Sequence, residues 1–234
     1  MTKSDPKQNV LILGAILGVI IIVISLVLVT VRALGPNAGR KQTMTVDLKD
    51  NLNAKFTESV LVAGGNDGEN NLGTFPQGLQ HFGGTLFNVQ GIVQLSSLHL
   101  RMEHKNYPEH VEGIKIERQC RRLHMLHGAG WDDRDGKRIA QLVLHYADGS
   151  EREIKIIFGE HLRSWSGAPS EKPTGPASKL VWTGTNPVIR QRGSHLRIYK
   201  STFENPQPDK RIETVDYLSL MANSAPFMIA LTVE

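Results

Sequence analysis

Residues 10–31 form an unbroken apolar run from Val10 to Val31 with no charged side chain, whereas the chain beyond it mixes charged and apolar residues as a water-soluble domain does. As a helix rising ~1.5 Å per residue the run reaches roughly 33 Å, enough to cross a hydrocarbon core of about 30 Å. It is therefore expected to hold the chain in a bilayer, leaving a short tail over 1–9, a linker over 32–42 and one domain over 43–234. A cleaved signal peptide fits less well: its apolar region is ~7 to 15 residues and ends in a small-x-small site. Here Arg32-Ala33-Leu34-Gly35 follows, which is a poor cleavage site. Lys3 and Lys7 before the run nearly balance Arg32, Arg40 and Lys41 after it, so the positive-inside count does not set orientation. With so short a tail, the expected arrangement is a single-pass membrane protein whose domain faces away from the cytoplasm.

The formal net charge of +4 is mild and mixed with acids, which argues against nucleic acid as a partner. Arg118, Arg121 and Arg122 are the densest basic cluster and read as local ion pairs on or beside a strand. The single cysteine, Cys120, forbids an intrachain disulfide, and its setting near Leu123, Met125 and Leu126 suits a buried, inert thiol.

Past the linker the pattern is of short strands separated by Gly, Pro, Asn and Asp. Strands are expected at 43–48, 85–89, 92–95, 139–146, 151–158, 179–183, 196–203, 211–218 and 227–233. Ile154, Ile156 and Phe158 alternate with charged residues, and Asp148-Gly149 before them marks a β-hairpin. In the last strand Phe227, Ile229, Leu231 and Val233 fall on one face. The stretch 164–178, rich in Pro, Gly and Ser, reads as a long loop. The fold class is all-β: an antiparallel β-sandwich, jelly-roll-like, behind one amino-terminal transmembrane helix.

Catalytic and metal signatures fail on inspection. His124 and His127 stand three apart, which on a strand puts them on opposite faces. Asp132, Asp133 and Asp135 before Gly136 miss the calcium-loop register, since its first and twelfth positions fall on Trp131 and Leu142; a hairpin turn accounts for them. No nucleophile elbow, phosphate loop or dinucleotide fingerprint occurs. Asp216 reads as a structural partner for a backbone or arginine group. Paired carboxylates of an envelope carbohydrate hydrolase stay open, because their separation belongs to the fold. What remains is a binding face built on Trp131 and Trp165, with His127, Arg163, Arg190 and Arg192 supplying directed hydrogen bonds to a glycan or a protein partner. Closure of the core ends is the other reading of the same tryptophans.

The segments opening at Arg122-Leu123-His124 and Leu144-His145-Tyr146, then Trp182-Thr183-Gly184-Thr185-Asn186-Pro187, Phe203-Glu204-Asn205-Pro206 and Ser224-Ala225-Pro226-Phe227, occur in that order. Together they resemble the galactose-binding-like β-sandwich modules, and more closely an uncharacterised bacterial membrane-anchored group. That resemblance implies a non-catalytic module binding carbohydrate, lipid headgroups or protein through loops, with a structural calcium in many members and no other cofactor.

Overall fold

The computed structural model describes residues 43–58, 69–168 and 172–234, of which Thr43–Glu234 is a compact unit. The expected anchor over 10–31, the tail 1–9 and the linker 32–42 lie outside the described residues. Among the described residues no helix is long and apolar enough to cross a membrane.

In chain order the elements are β1 (Met44–Thr45), β2 (Gly78–Phe82), β3 (Thr85–Val89), β4 (Val93–Gln94), the short helix α1 (Leu98–Met102), β5 (His110–Gln119), β6 (Arg122–Gly130), β7 (Arg138–Tyr146), β8 (Glu151–Ile157), β9 (Ser166–Gly167), β10 (Ser178–Gly184), α2 (Pro187–Gln191), β11 (His195–Glu204), β12 (Arg211–Ser219) and β13 (Ala225–Val233). They form a wide antiparallel sheet in the order β1-β13-β6-β11-β10, with β4 on β13 and β9 on β11, and a narrow one in the order β5-β12-β7-β8. The hairpin β2–β3 forms a third, two-stranded sheet. The regular structure of the described chain is thus mostly antiparallel β-sheet, compatible with an all-β sandwich.

The wide sheet is covered on both faces. Towards the narrow sheet it contributes Leu123, Met125, Met228, Leu231 and Val233 to a core shared with Ile114, Leu142, Leu144, Ile156 and Tyr217. Its other face carries Leu126, Leu196, Ile198, Phe227 and Ile229 into a second core closed by Phe82, Phe87 and Val89 of the hairpin and by Phe56, Phe75 and Leu100. The side chains of β13 are buried along its whole length, as expected of a strand with apolar material on both sides. The expectation of one apolar face on β13 is corrected by a register shift between Met228 and Ala230. Phe227 and Ile229 point into the second core, and beyond the bulge Leu231 and Val233 point into the first.

The β7–β8 hairpin turns at Asp148-Gly149 as expected, with Gly149 at φ +81° and its N–H donating to Tyr146 O at 2.9 Å. Ile154 and Ile156 are buried while Glu153 and Lys155 face water. The 132–136 segment is no hairpin turn: β6 and β7 belong to different sheets, so it carries the chain from one to the other. Asp133 accepts from Ser224 N at 3.2 Å and Asp135 pairs with Arg163, so these acids serve separate contacts. Cys120, between β5 and β6, is 6% exposed and burial pushes its thiol up to about 11, which leaves it un-ionised at neutral pH.

Asp216 on β12 accepts from Gly113 N at 2.8 Å and takes His145 Nε2 at 2.7 Å, while His145 Nδ1 lies 3.0 Å from Glu151 on β8. Partial burial lowers the His145 pKa, but the Asp216 hydrogen bond and the charges of Asp216 and Glu151 outweigh it and the net shift is upward. The native state therefore holds this proton more tightly than the unfolded chain. The stabilisation is complete below the ordinary histidine value and fades as pH rises through the folded one. The stability difference between wild type and His145→Gln in urea unfolding is expected to be largest below the ordinary histidine value and to shrink as pH rises through the folded one. A difference that does not change with pH would refute this.

In the shared core the Tyr217 hydroxyl is buried with no hydrogen-bond partner among the described residues, and burial pushes its pKa far up. An unpaired buried hydroxyl costs about 1 to 3 kcal/mol. Tyr217→Phe is therefore expected to stabilise the protein by about 1 kcal/mol in the same assay; a loss of stability would show that the hydroxyl is paired.

Candidate functional site

Strand β11 is two-faced in an unusual way. Leu196 and Ile198 enter the second core, whereas His195, Arg197 and Tyr199, at alternate positions, line a cavity of about 610 Å³ on the opposite side. That volume falls in the range of small-ligand sites. Strand β10 supplies Ser178, Leu180 and Thr183 to the cavity, and Lys172, Pro173 and Thr174 close it from the preceding stretch. Leu180 and Thr183 are three residues apart, a spacing that regular alternation would put on opposite faces. The register shift between Leu180 and Trp182 removes the conflict: Leu180 pairs with Tyr199 before it and Thr183 with Arg197 after it. Trp182 turns to the far side, edge-on to Phe75 with ring centroids 4.8 Å apart.

Arg197 is 5% exposed. Its Nε and Nη2 donate to Ser164 O at 3.1 and 2.7 Å, and Nη2 also donates to Ser166 O at 2.9 Å. Desolvation lowers its pKa, yet a guanidinium stays charged at any physiological pH. Burial likewise raises the Tyr199 phenol, with Arg197 and Arg163 opposing, so it remains a neutral donor. No family model, curated protein or solved structure matches the chain.

The six residues expected at a binding face are not brought together. His127 is fully buried on the first-core side of β6, with Nε2 2.8 Å from Ser201 Oγ. Trp165, 5% exposed, packs in the second core. Arg163 is also buried and makes a two-pronged pair with Asp135, at 2.8 and 3.1 Å, that holds the Asp135 carboxyl below its usual range. Trp131 follows β6 at φ +58° and stacks on His99 with centroids 4.0 Å apart. Arg190 and Arg192 are exposed on and just after α2 and are not among the residues that line the cavity. His124 and His127 do point to opposite sides of β6: His124 bonds Thr202 Oγ1 at 2.9 Å and Glu234 at 3.0 Å. Among the described residues no group of three or more His, Cys, Asp or Glu side chains is placed to hold a metal.

Sequence reasoning found β11 and missed its meaning. The available signal was the stripe His195, Arg197, Tyr199 facing away from Leu196 and Ile198 in a strand with a β-partner on each side. Three large polar residues on one face of an interior strand mark a place where the core gives way to a cavity.

Proposed function

We propose that the protein is a non-catalytic carbohydrate-binding module of the galactose-binding-like, jelly-roll type, anchored by residues 10–31 with the domain outside the cytoplasm. The observation that supports a ligand site is the polar stripe of β11 opening into the 610 Å³ cavity. Tyr199 and Leu180 offer apolar surface for a sugar face, and Thr183 and His195 offer directed polar groups. Among the described lining residues there is no carboxylate, so the paired acids of a glycoside hydrolase are not assembled from them.

A glycan array probed with the full-length chain in mild detergent tests this reading, with Tyr199→Ala as control. Binding to one sugar class that Tyr199→Ala abolishes supports it. A blank array moves the assignment to a protein partner, and binding that Tyr199→Ala leaves intact moves the site elsewhere. Anchoring and orientation are tested by a reporter fused after Glu234: activity in the cytoplasm overturns the outward placement.

A further inference from the structure

The wall of the cavity is fastened at one atom. The carbonyl oxygen of His161 accepts from Ser178 Oγ at 2.5 Å, from Ser201 Oγ at 2.8 Å and from His127 Nε2 at 3.2 Å. It thereby ties β10, β11 and β6 to the turn that follows β8. The His161 ring closes the turn itself, since its Nδ1 accepts from Ile157 N at 2.9 Å. From that turn the chain runs through Arg163 to Ser164, whose carbonyl holds Arg197 in the cavity.

Both imidazoles make these bonds in the neutral form. A proton on His161 Nδ1 removes the acceptor used by Ile157 N–H. His127 is fully buried and its Nδ1 has no partner among the described residues, so a proton placed there is a buried donor with none of them to receive it. We propose that the cavity wall is acid-sensitive: His127 and His161 fasten it only while both are neutral, and protonation frees the 157–168 stretch. The proposal names a regulation of the cavity and rests on that cavity being the ligand site.

The surroundings of the pair do not rescue the charged forms. His127 faces Ser201, Phe203 and, across the β6–β11 ladder, Tyr199; Met228 of β13 lies in register on its other side. Tyr199 in turn feels Arg197, Arg163 and Asp132. His161 meets Phe203 at 5.0 Å between centroids, Ile157 of β8 and Ser178 of β10, and Glu160 is the one acid that favours its charged form. Burial overrides Glu160 and lowers His161. Burial first, and then the nearby His161, bring His127 down to about 3, against the opposing hydrogen bond of the His161 carbonyl. Folded values below the unfolded ones mean that the fastened state binds fewer protons, so its stability is full above the ordinary histidine value and falls as pH drops below it.

Hydrogen exchange of the full-length protein, corrected for the intrinsic pH dependence of exchange, tests the proposal without any ligand. The amides of Ile157, Trp165 and Arg197, bonded to His161 Nδ1, Ala129 O and Trp165 O, report on the wall. Their protection is expected to fall by about tenfold or more per pH unit below about pH 6, while the β5–β12 ladder keeps its own. His161→Gln, whose amide oxygen can accept from Ile157 N–H but not titrate, is expected to show a shallower fall. Protection that stays flat in wild type, or equal slopes in the two proteins, overturns the acid-sensitive wall. Neither result depends on sugar binding, so a blank glycan array and a flat exchange profile mark separate failures.

Discussion

Phe227→Ala is expected to lower the unfolding free energy by about 3 to 5 kcal/mol. Phe227 is fully buried in the second core and is the cross-strand partner of Gly128 on β6. The ring lies directly over that glycine: a Cβ added at Gly128 would sit 2.6 Å from Phe227 Cζ and 3.1 Å from Cε1. From the Gly128 side nothing can fill the hole, because that residue has no side chain to extend. The same contact predicts the converse. Gly128→Ala forces the ring off its seat and is expected to cost about 1 to 3 kcal/mol, in the range of overpacked cores. Combining Gly128→Ala with Phe227→Leu, which shortens the side chain above, should cost less than the sum of the two single changes. Urea unfolding of the wild type and these four variants measures this. A Phe227→Ala loss below about 1 kcal/mol, or strict additivity, would show that the pair is not packed as described.

How much of this was legible beforehand divides along the bulges. Where alternation is regular, as in β8 with Ile154 and Ile156 inward and Glu153 and Lys155 outward, the strand, its turn and its buried face all follow from the sequence. In β5 they do not. Gly113 at φ +73° and Glu117 at φ +53° sit by the two register shifts with β12, so Val111, Ile114 and Ile116 lose the period of two that reveals a strand. β13 is recognisable but its faces are not, since one extra residue after Met228 exchanges them. The second core is hidden for a different reason: Phe56, Phe75 and Phe87 come from segments far apart in the chain, and only the fold shows that they cover one face of the wide sheet.

The candidate site follows the same logic. Trp165 and His127 look like ligand contacts when loops are judged by their polar neighbours. Trp165 instead packs in the core opposite the cavity, and His127 belongs to the fastening behind the cavity wall. Arg163 is spent on Asp135, which also packs so closely on Gly159 that a Cβ there would lie 2.5 Å from its carboxylate. The residues that do line the cavity come from the strand interior of β11 and the bulge of β10. Whether such positions face a core or a cavity depends on how far the covering layer extends, which a single strand's sequence does not encode.

Arg197 carries the second large effect, because one side chain joins the sheet to the stretch that closes it. Arg197→Met keeps the aliphatic stem and removes every donor, leaving the carbonyls of Ser164 and Ser166 without the guanidinium that now serves both. Stranding the buried Ser164 carbonyl costs about 1 to 3 kcal/mol and stranding the half-buried Ser166 carbonyl costs less, so a total loss of about 2 to 3 kcal/mol is expected. The backbone contacts would then stand alone: Arg197 N to Trp165 O at 2.6 Å, Trp165 N to Ala129 O at 2.7 Å, and the two-residue pairing of β9 with β11. Faster exchange at the Trp165 and Arg197 amides should accompany the loss of stability, whereas the β7–β8 hairpin, in the other sheet, should exchange as before. Arg197→Lys discriminates between charge and geometry. It retains the cation but cannot fork between two carbonyls as a guanidinium does, so it should fall between wild type and Arg197→Met. If lysine restores full stability, charge alone holds the stretch. If methionine is as stable as arginine, the two carbonyls find other donors, and Arg197 is free to be read as a ligand contact rather than as the clasp of the cavity.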